Sequence, residues 1–243
     1  MKPTKKAAEM CERELAAYID QSVLKPEFTV EEIKKYSQEG IDFGCKTICI
    51  NPSSLDIVAP MVKGTVTGLC VVCDFPFGLA TTEAKALLAE KYCSEYEIED
   101  LDIVANYGRL RSGDLDYVVS DLAPTVEACH AHGVNVKVII ETDSLTIDQV
   151  KQGTQCAVKA GADFIKSSTG FLTGHENVGA TNEVVAAMIE AGEGKIKIKG
   201  SGAIRTREHF LELIDRGIDR MGVGYASTPK ALGCTPEEAK KQA

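Results

Sequence analysis

The chain has 243 residues, enough for one large core, with 44% apolar and 26% charged residues, the balance of an ordinary globular protein. Its formal net charge of −9 and pI near 5.1 supply no basic field, which argues against nucleic acid or an anionic membrane surface as the main partner. No run of eighteen apolar residues occurs, so no membrane span is expected, and a small phosphorylated ligand, which needs only a local site, stays open.

The N-terminus begins basic but has no apolar h-region. It then alternates charged and apolar residues at helical spacing, which predicts a helix over 1–18 packed on the barrel of a single domain spanning 1–243, not a signal peptide. Pro26 breaks any continuation, and Thr29 with Glu32 forms a capping box for a helix over 30–39. Residues 44–50 are rich in β-formers and close on Asn51-Pro52, a strand followed by a helix over 52–62. The rhythm continues with a strand at 66–72, a helix from Thr81 to about Glu97, a strand at 101–105, a loop at 106–113 and a helix at 114–132. Strands at 134–141, 164–167, 195–199 and 221–223 alternate with helices within 144–160, at 181–191, at 206–216 and in the tail.

About eight β-then-α units with no linker call for a parallel sheet. In this length they predict the α/β class and a closed (β/α)₈ TIM barrel, since no glycine-rich turn of an open dinucleotide-binding sheet follows the first strand. Nine cysteines, odd in number and mostly within apolar runs such as those of Cys45, Cys49, Cys70 and Cys73, fit reduced thiols and a cytoplasmic protein. Cys70 and Cys73 are three apart on a strand, so their sulfurs face opposite sides, and no second pair completes a metal site.

Reactive groups of such barrels come from the C-terminal ends of several strands. Three polar residues stand there among apolar neighbours: Asp102, Lys166 and Lys199. With roughly thirty residues per unit they fall at one height on strands four, six and seven. Two lysines and a carboxylate can make an imine-forming set, because a free amine attacks carbonyls and a neighbouring cation or burial frees the amine. The same residues also read as an inert buried salt-bridged trio. Period-2 alternation places Lys195 and Lys197 on the Lys199 face, which leaves a merely polar lumen open.

The segments IDQSVLKP, TICINP, CDFPFGLATTEAK, EDLDIV, GRLRSGD, ADFIKSSTGF and IKGSGAIRT resemble, in order and over roughly residues 18 to 224, those of deoxyribose-phosphate aldolases. That resemblance implies a class I aldolase with no metal and no cofactor. It would cleave 2-deoxy-D-ribose 5-phosphate reversibly to acetaldehyde and D-glyceraldehyde 3-phosphate. It implies Lys166 as the Schiff-base lysine, Lys199 as the lysine that perturbs it and moves protons, and Asp102 as the relay carboxylate. Asp20, Ser22, Lys25 and Cys49 match positions lining the family's pocket. Thr169, Gly170, Gly202, Ala203, Gly222 and Gly224 match its phosphate-binding region.

That region departs from the family pattern. Ala203 stands where a second glycine is usual, Gly224-Tyr225 replaces a serine pair, and the loop after Gly170 is longer, with His175, Glu176 and Asn177 in the insert. A non-phosphorylated or different acceptor aldehyde is therefore the alternative substrate, with Arg205 and Ser227 as residues that would compensate if phosphate is kept. A sugar-phosphate-binding barrel without chemistry and a metal-dependent aldolase are the remaining readings. A homodimer or higher homo-oligomer is expected from the pairing habits of such barrels.

Overall fold

The computed structural model describes residues 3–174 and 176–241. Eight parallel strands close a barrel in sequence order: β1 (Ile19–Val23), β2 (Thr47–Ile50), β3 (Gly68–Cys73), β4 (Asp100–Val104), β5 (Asn135–Ile139), β6 (Phe164–Lys166), β7 (Lys197–Ser201) and β8 (Arg220–Gly224). The helices around it are α1 (Glu12–Ala16), α2 (Val30–Phe43), α3 (Leu55–Val62), α4 (Thr82–Glu95), α5 (Tyr107–Arg111), α6 (Leu115–Ala131), α7 (Ile147–Lys159), α8 (Asn182–Gly192), α9 (Arg207–Arg216), α10 (Thr228–Leu232) and α11 (Pro236–Lys240). This is the predicted (β/α)₈ architecture.

Local chemistry sets the boundaries. Thr29 accepts the Glu32 N–H while Glu32 accepts the Thr29 N–H, which starts α2, and Gly44 at φ +72° ends it. Pro52 opens a turn of 3-10 helix before α3. Three expectations are corrected. The N-terminal stretch is a 3-10 turn, Ala7–Glu9, and the short α1, not one helix; Ala7 is tied to the barrel by its N–H donating to Asp215 (2.9 Å). The loop at 106–113 contains α5, because the Asn106 side chain caps the Arg109 N–H (3.1 Å). Finally, β7 begins at Lys197, so Lys195 lies outside the strand and pairs with Glu193.

Period-2 alternation sorts the strands into two cores. Ile48, Ile50, Leu69, Val71, Leu101, Ile103, Val136, Val138, Ile165, Met221 and Val223 point outward and pack under the helices. Each such aliphatic side chain, fully buried, contributes roughly 1.5–3 kcal/mol. Cys73 faces this outer layer, its Sγ near the Lys85 carbonyl, while Cys70 faces the lumen, so the two sulfurs diverge as expected. The segment 73–85 is fixed by the buried Lys85, which donates to Asp121 (2.5 Å) and to the Gly78 carbonyl (3.2 Å), joining α4, α6 and the loop after β3.

Candidate active site

The lumen is polar where most barrels are filled with branched aliphatics. Every strand sends at least one polar side chain into it: Asp20, Thr47, Cys70, Asp102, Lys137, Lys166, Lys199 and Arg220 from β1 to β8 in order. Asp102 is the hub. Its Oδ2 accepts from Lys166 Nζ and Lys199 Nζ, each at 2.7 Å, and its Oδ1 accepts from Lys137 Nζ and Cys70 Sγ, each at 3.1 Å. Asp20 lies 2.6 Å from Lys199 and accepts from Arg220 and Thr47 at 2.8 Å. Asp100 accepts from Lys137 at 2.6 Å. Beneath them Phe164 closes the floor, its ring facing the cations of Lys137, Lys197 and Arg220 at 5.1–5.7 Å.

Charges so deeply buried survive only because each is paired. Burial opposes the Asp102 anion, yet Lys137, Lys166 and Lys199 outweigh it and hold the carboxyl well below its usual range. Asp20 is likewise lowered against burial by Lys137, Lys199 and Arg220. Lys137, despite burial, is raised well above the lysine range by Asp100, Asp102 and Asp20. Lys199 is raised too: burial pulls it down, and Asp102 with Asp20 more than restores it. Its two carboxylate neighbours thus favour the charged form of Lys199.

Of this network, Lys166 is the member that lines a cavity. A cavity of about 350 Å³ lies above it, lined by Ser22, Lys25, Thr169, Gly170, Gly202, Ala203, Gly222 and Gly224, with Arg205, Tyr225 and Ser227 at its rim. Asp20, Cys49, Asp102 and Lys199, expected with the pocket, are buried and do not line it. The expected common height is partly corrected. Lys166 is the direct register partner of Lys199, but Asp102 is level with Lys137, and Lys166 with Ile139. Strand stagger in a closed barrel shifts the ladder, and the Asp102 carboxylate spans the difference.

Lys137 was not singled out in sequence, although it is a lysine in an apolar strand, the same signal that marks Lys166. Arg220 gave no such signal, because it opens its strand. Cys49, Cys70 and Asp102 place three donor atoms within 4.8 Å of one another. The Asp102 oxygens there already face three lysines, so a metal cation would meet strong repulsion.

Ala203 adopts φ +56° beside Gly202 at φ +85°, so the alanine keeps the left-handed turn that a glycine would make freely. Gly222 leaves room for Ser201 and the Lys199 stem: an added Cβ would lie 2.8 Å from Ser201 Oγ. Gly224 faces open space. Tyr225 stacks on Tyr36 (centroids 3.8 Å) and meets Phe28 edge-on (5.3 Å). In the lengthened loop Glu176 is exposed and Asn177 is half-buried with Oδ1 near Gly202; His175 lies outside the described residues.

Residues 14–228 match the DeoC/LacD family aldolase model. The chain belongs to the DeoC/LacD aldolase family. It is 38% identical over 231 residues to the deoxyribose-phosphate aldolase of Thermococcus kodakarensis, covering 94% of this chain and all of that protein. It is 39% identical over 213 residues to the Clostridium kluyveri enzyme of the same name, covering 88% and 95%. Among solved structures, the tetrameric deoxyribose phosphate aldolase of Aeropyrum pernix superposes with a TM-score of 0.81 at 25% identity, covering 91% of each chain. This DeoC/LacD aldolase is accordingly a deoxyribose-phosphate aldolase-like carbon–carbon lyase. Among its described residues no helix is long and apolar enough to cross a membrane.

Proposed function

We propose that the enzyme cleaves 2-deoxy-D-ribose 5-phosphate through an imine on Lys166. The observation that carries this reading is that Lys166, alone among the charged residues of the lumen network, lines the cavity while sharing one carboxylate oxygen with the buried Lys199. Attack on an aldehyde needs a free amine. The lumen sets four cationic side chains against three carboxylates, so one proton can leave without stranding a negative charge. The amine adds to C1 of the open-chain sugar and water departs, giving the imine. The C3 hydroxyl loses its proton, the C2–C3 bond breaks, and its electron pair forms an enamine while D-glyceraldehyde 3-phosphate leaves. Protonation at C2 and hydrolysis release acetaldehyde and the amine. Lys199 and Asp102 are the group that holds and returns the proton, and Asp20 positions Lys199.

Lys25 and Arg205 support a phosphorylated substrate. Both line the cavity; Arg205 has no ion pair among the described residues, and Lys25 has only Glu27 at 3.9 Å. Phe28 and Tyr225, which line the same cavity with Tyr36 stacked behind Tyr225, favour the second reading, an acceptor without phosphate. Cleavage of deoxyribose 5-phosphate beside unphosphorylated deoxyribose separates them: a preference for the latter overturns the first.

The imine itself is tested by acetaldehyde and borohydride, followed by intact mass. One reduced two-carbon adduct is expected, absent in Lys166→Ala; an adduct that persists in the variant refutes the assignment. Action in the cytoplasm is supported by nine free thiols, seven of them buried. Assembly into a homo-oligomer is supported by the tetrameric Aeropyrum pernix relative and is read by light scattering, where a monomer mass would refute it.

A further inference from the structure

We propose that Glu141 and Asp143 are positioning residues for the acceptor half of the site, holding both ends of the loop between β6 and α8 so that Thr169, Gly170 and Gly202 line the cavity. The proposal rests on the imine reading of Lys166 only for the names of the two halves of the reaction.

Glu141 follows β5 and is 1% exposed. Its backbone has φ +56°, a conformation that side chains other than glycine rarely adopt. The ladder to β6 continues on either side of it: the Ile140 N–H donates to the Lys166 carbonyl (3.1 Å) and the Thr142 N–H to the next carbonyl, Ser167 (3.0 Å). Two successive acceptors, the last residue of β6 and the one after it, thus meet donors two apart beyond β5, with Glu141 bulged out between them. Bulges of this kind re-aim a side chain beside active sites. Here the carboxylate is aimed at the loop that leaves β6.

Among the described residues its hydrogen bonds are all to that loop. Oε1 accepts from Ser168 Oγ (2.7 Å), the Thr169 N–H lies 3.3 Å from both oxygens, and Oε2 accepts from the Thr169 hydroxyl. Among the described residues Glu141 has no cationic partner, and its side-chain oxygens are held by loop donors alone. The same hydroxyls fix the next turn, because Ser168 Oγ accepts from the Gly170 N–H (3.1 Å) and Thr169 Oγ1 from Phe171 (3.0 Å).

Asp143 secures the far end. Its Oδ1 accepts from the Gly179 N–H at 2.8 Å. Gly179 is pressed on Gly202, where a Cβ on Gly179 would lie 2.4 Å from the Gly202 carbonyl carbon, and the Ala180 N–H donates to the Gly202 carbonyl (3.2 Å). One short turn after β5 therefore sets the rim on two sides of the cavity. Neither carboxylate lines that cavity.

Glu141→Gln loses the acceptor facing Thr169, and Asp143→Asn weakens the hold on Gly179. In both, we expect the borohydride-trapped acetaldehyde adduct at Lys166 to form as in the unmodified enzyme. The KM for deoxyribose 5-phosphate cleavage should rise about tenfold or more, with kcat changed less than threefold. Unchanged KM in both variants overturns the proposal. So does a parallel loss of adduct, kcat and melting temperature, which marks a merely structural role. If Glu141→Gln does not fold, the half-buried Asp143 decides through the same split. Absence of adduct in the unmodified enzyme refutes the imine reading instead, and the KM comparison still reads the positioning role.

Discussion

Asp102 gathers three lysines on two oxygens, and the rest of the lumen is arranged to make that tolerable. Lys137 is the partner that joins Asp102 to Asp100 and Asp20, at 3.1, 2.6 and 3.4 Å. Lys137→Met should destabilise the fold by about 3–5 kcal/mol, because it leaves carboxylates buried with too few cations. Urea unfolding measures this, and a loss under ~1 kcal/mol would show that the network reorganises. The pH dependence follows from the shifts. Asp20 and Asp102 are lowered, so their contribution is complete above the unfolded carboxyl value of about 4 and is lost as pH falls below it. Lys137 and Lys199 are raised, so theirs is complete below about 10.4 and lost as pH rises beyond. Stability between about pH 5 and 2 should therefore fall less steeply in Asp20→Asn than in the unmodified protein, by up to ~1.4 kcal/mol per pH unit. Equal acid slopes would contradict the assignment.

At the scale of elements, the loops after β5, β6 and β7 shape the cavity, and their backbone angles carry the constraint. Ala203 at φ +56° holds a left-handed turn that costs an L-residue roughly 1–2 kcal/mol. Ala203→Gly should relieve part of this and raise the melting temperature by about 2–4 °C. A fall on calorimetry would mean that the methyl packs to more effect than its strain. Gly179→Ala has the opposite sign. Its φ of +58° and the close Gly202 backbone leave no room, so the loop must shift. Stability and kcat/KM should both drop, and a variant that keeps both would show that the loop is not pressed on Gly202.

The whole molecule is closed by its charges as well as by its sheet. Arg220 on β8 reaches Asp20 on β1 and Asp100 on β4, so the last strand holds both its neighbour β1 and, across the lumen, β4. Opening β1, β4, β5, β6, β7 or β8 strands a charge in low dielectric. Far-UV circular dichroism and tyrosine fluorescence should consequently report one coincident urea transition. Two separated transitions would show that part of the barrel opens while the network persists.

Much of this was legible in the sequence. The alternation of β and α periods gave the barrel, because strand period 2 and helix period 3.6 are local properties of the chain. Lys166, Lys199 and Asp102 stood out because a charge inside an apolar run conflicts with its neighbours. Lys137 carried the same conflict and was passed over, since nothing local says which buried lysines converge. Glu141 carried no signal at all: a glutamate at a strand end looks solvated until the bulge turns it inward. The amino-acid order by itself determined the elements and the charged residues among them. Only closure of the barrel, with its stagger, decided which charges pair, that Asp102 reaches both Lys166 and Lys199, and that Lys166 is the member of that network facing the cavity. Those outcomes depend on the register between strands far apart in the chain, which local periodicity does not encode.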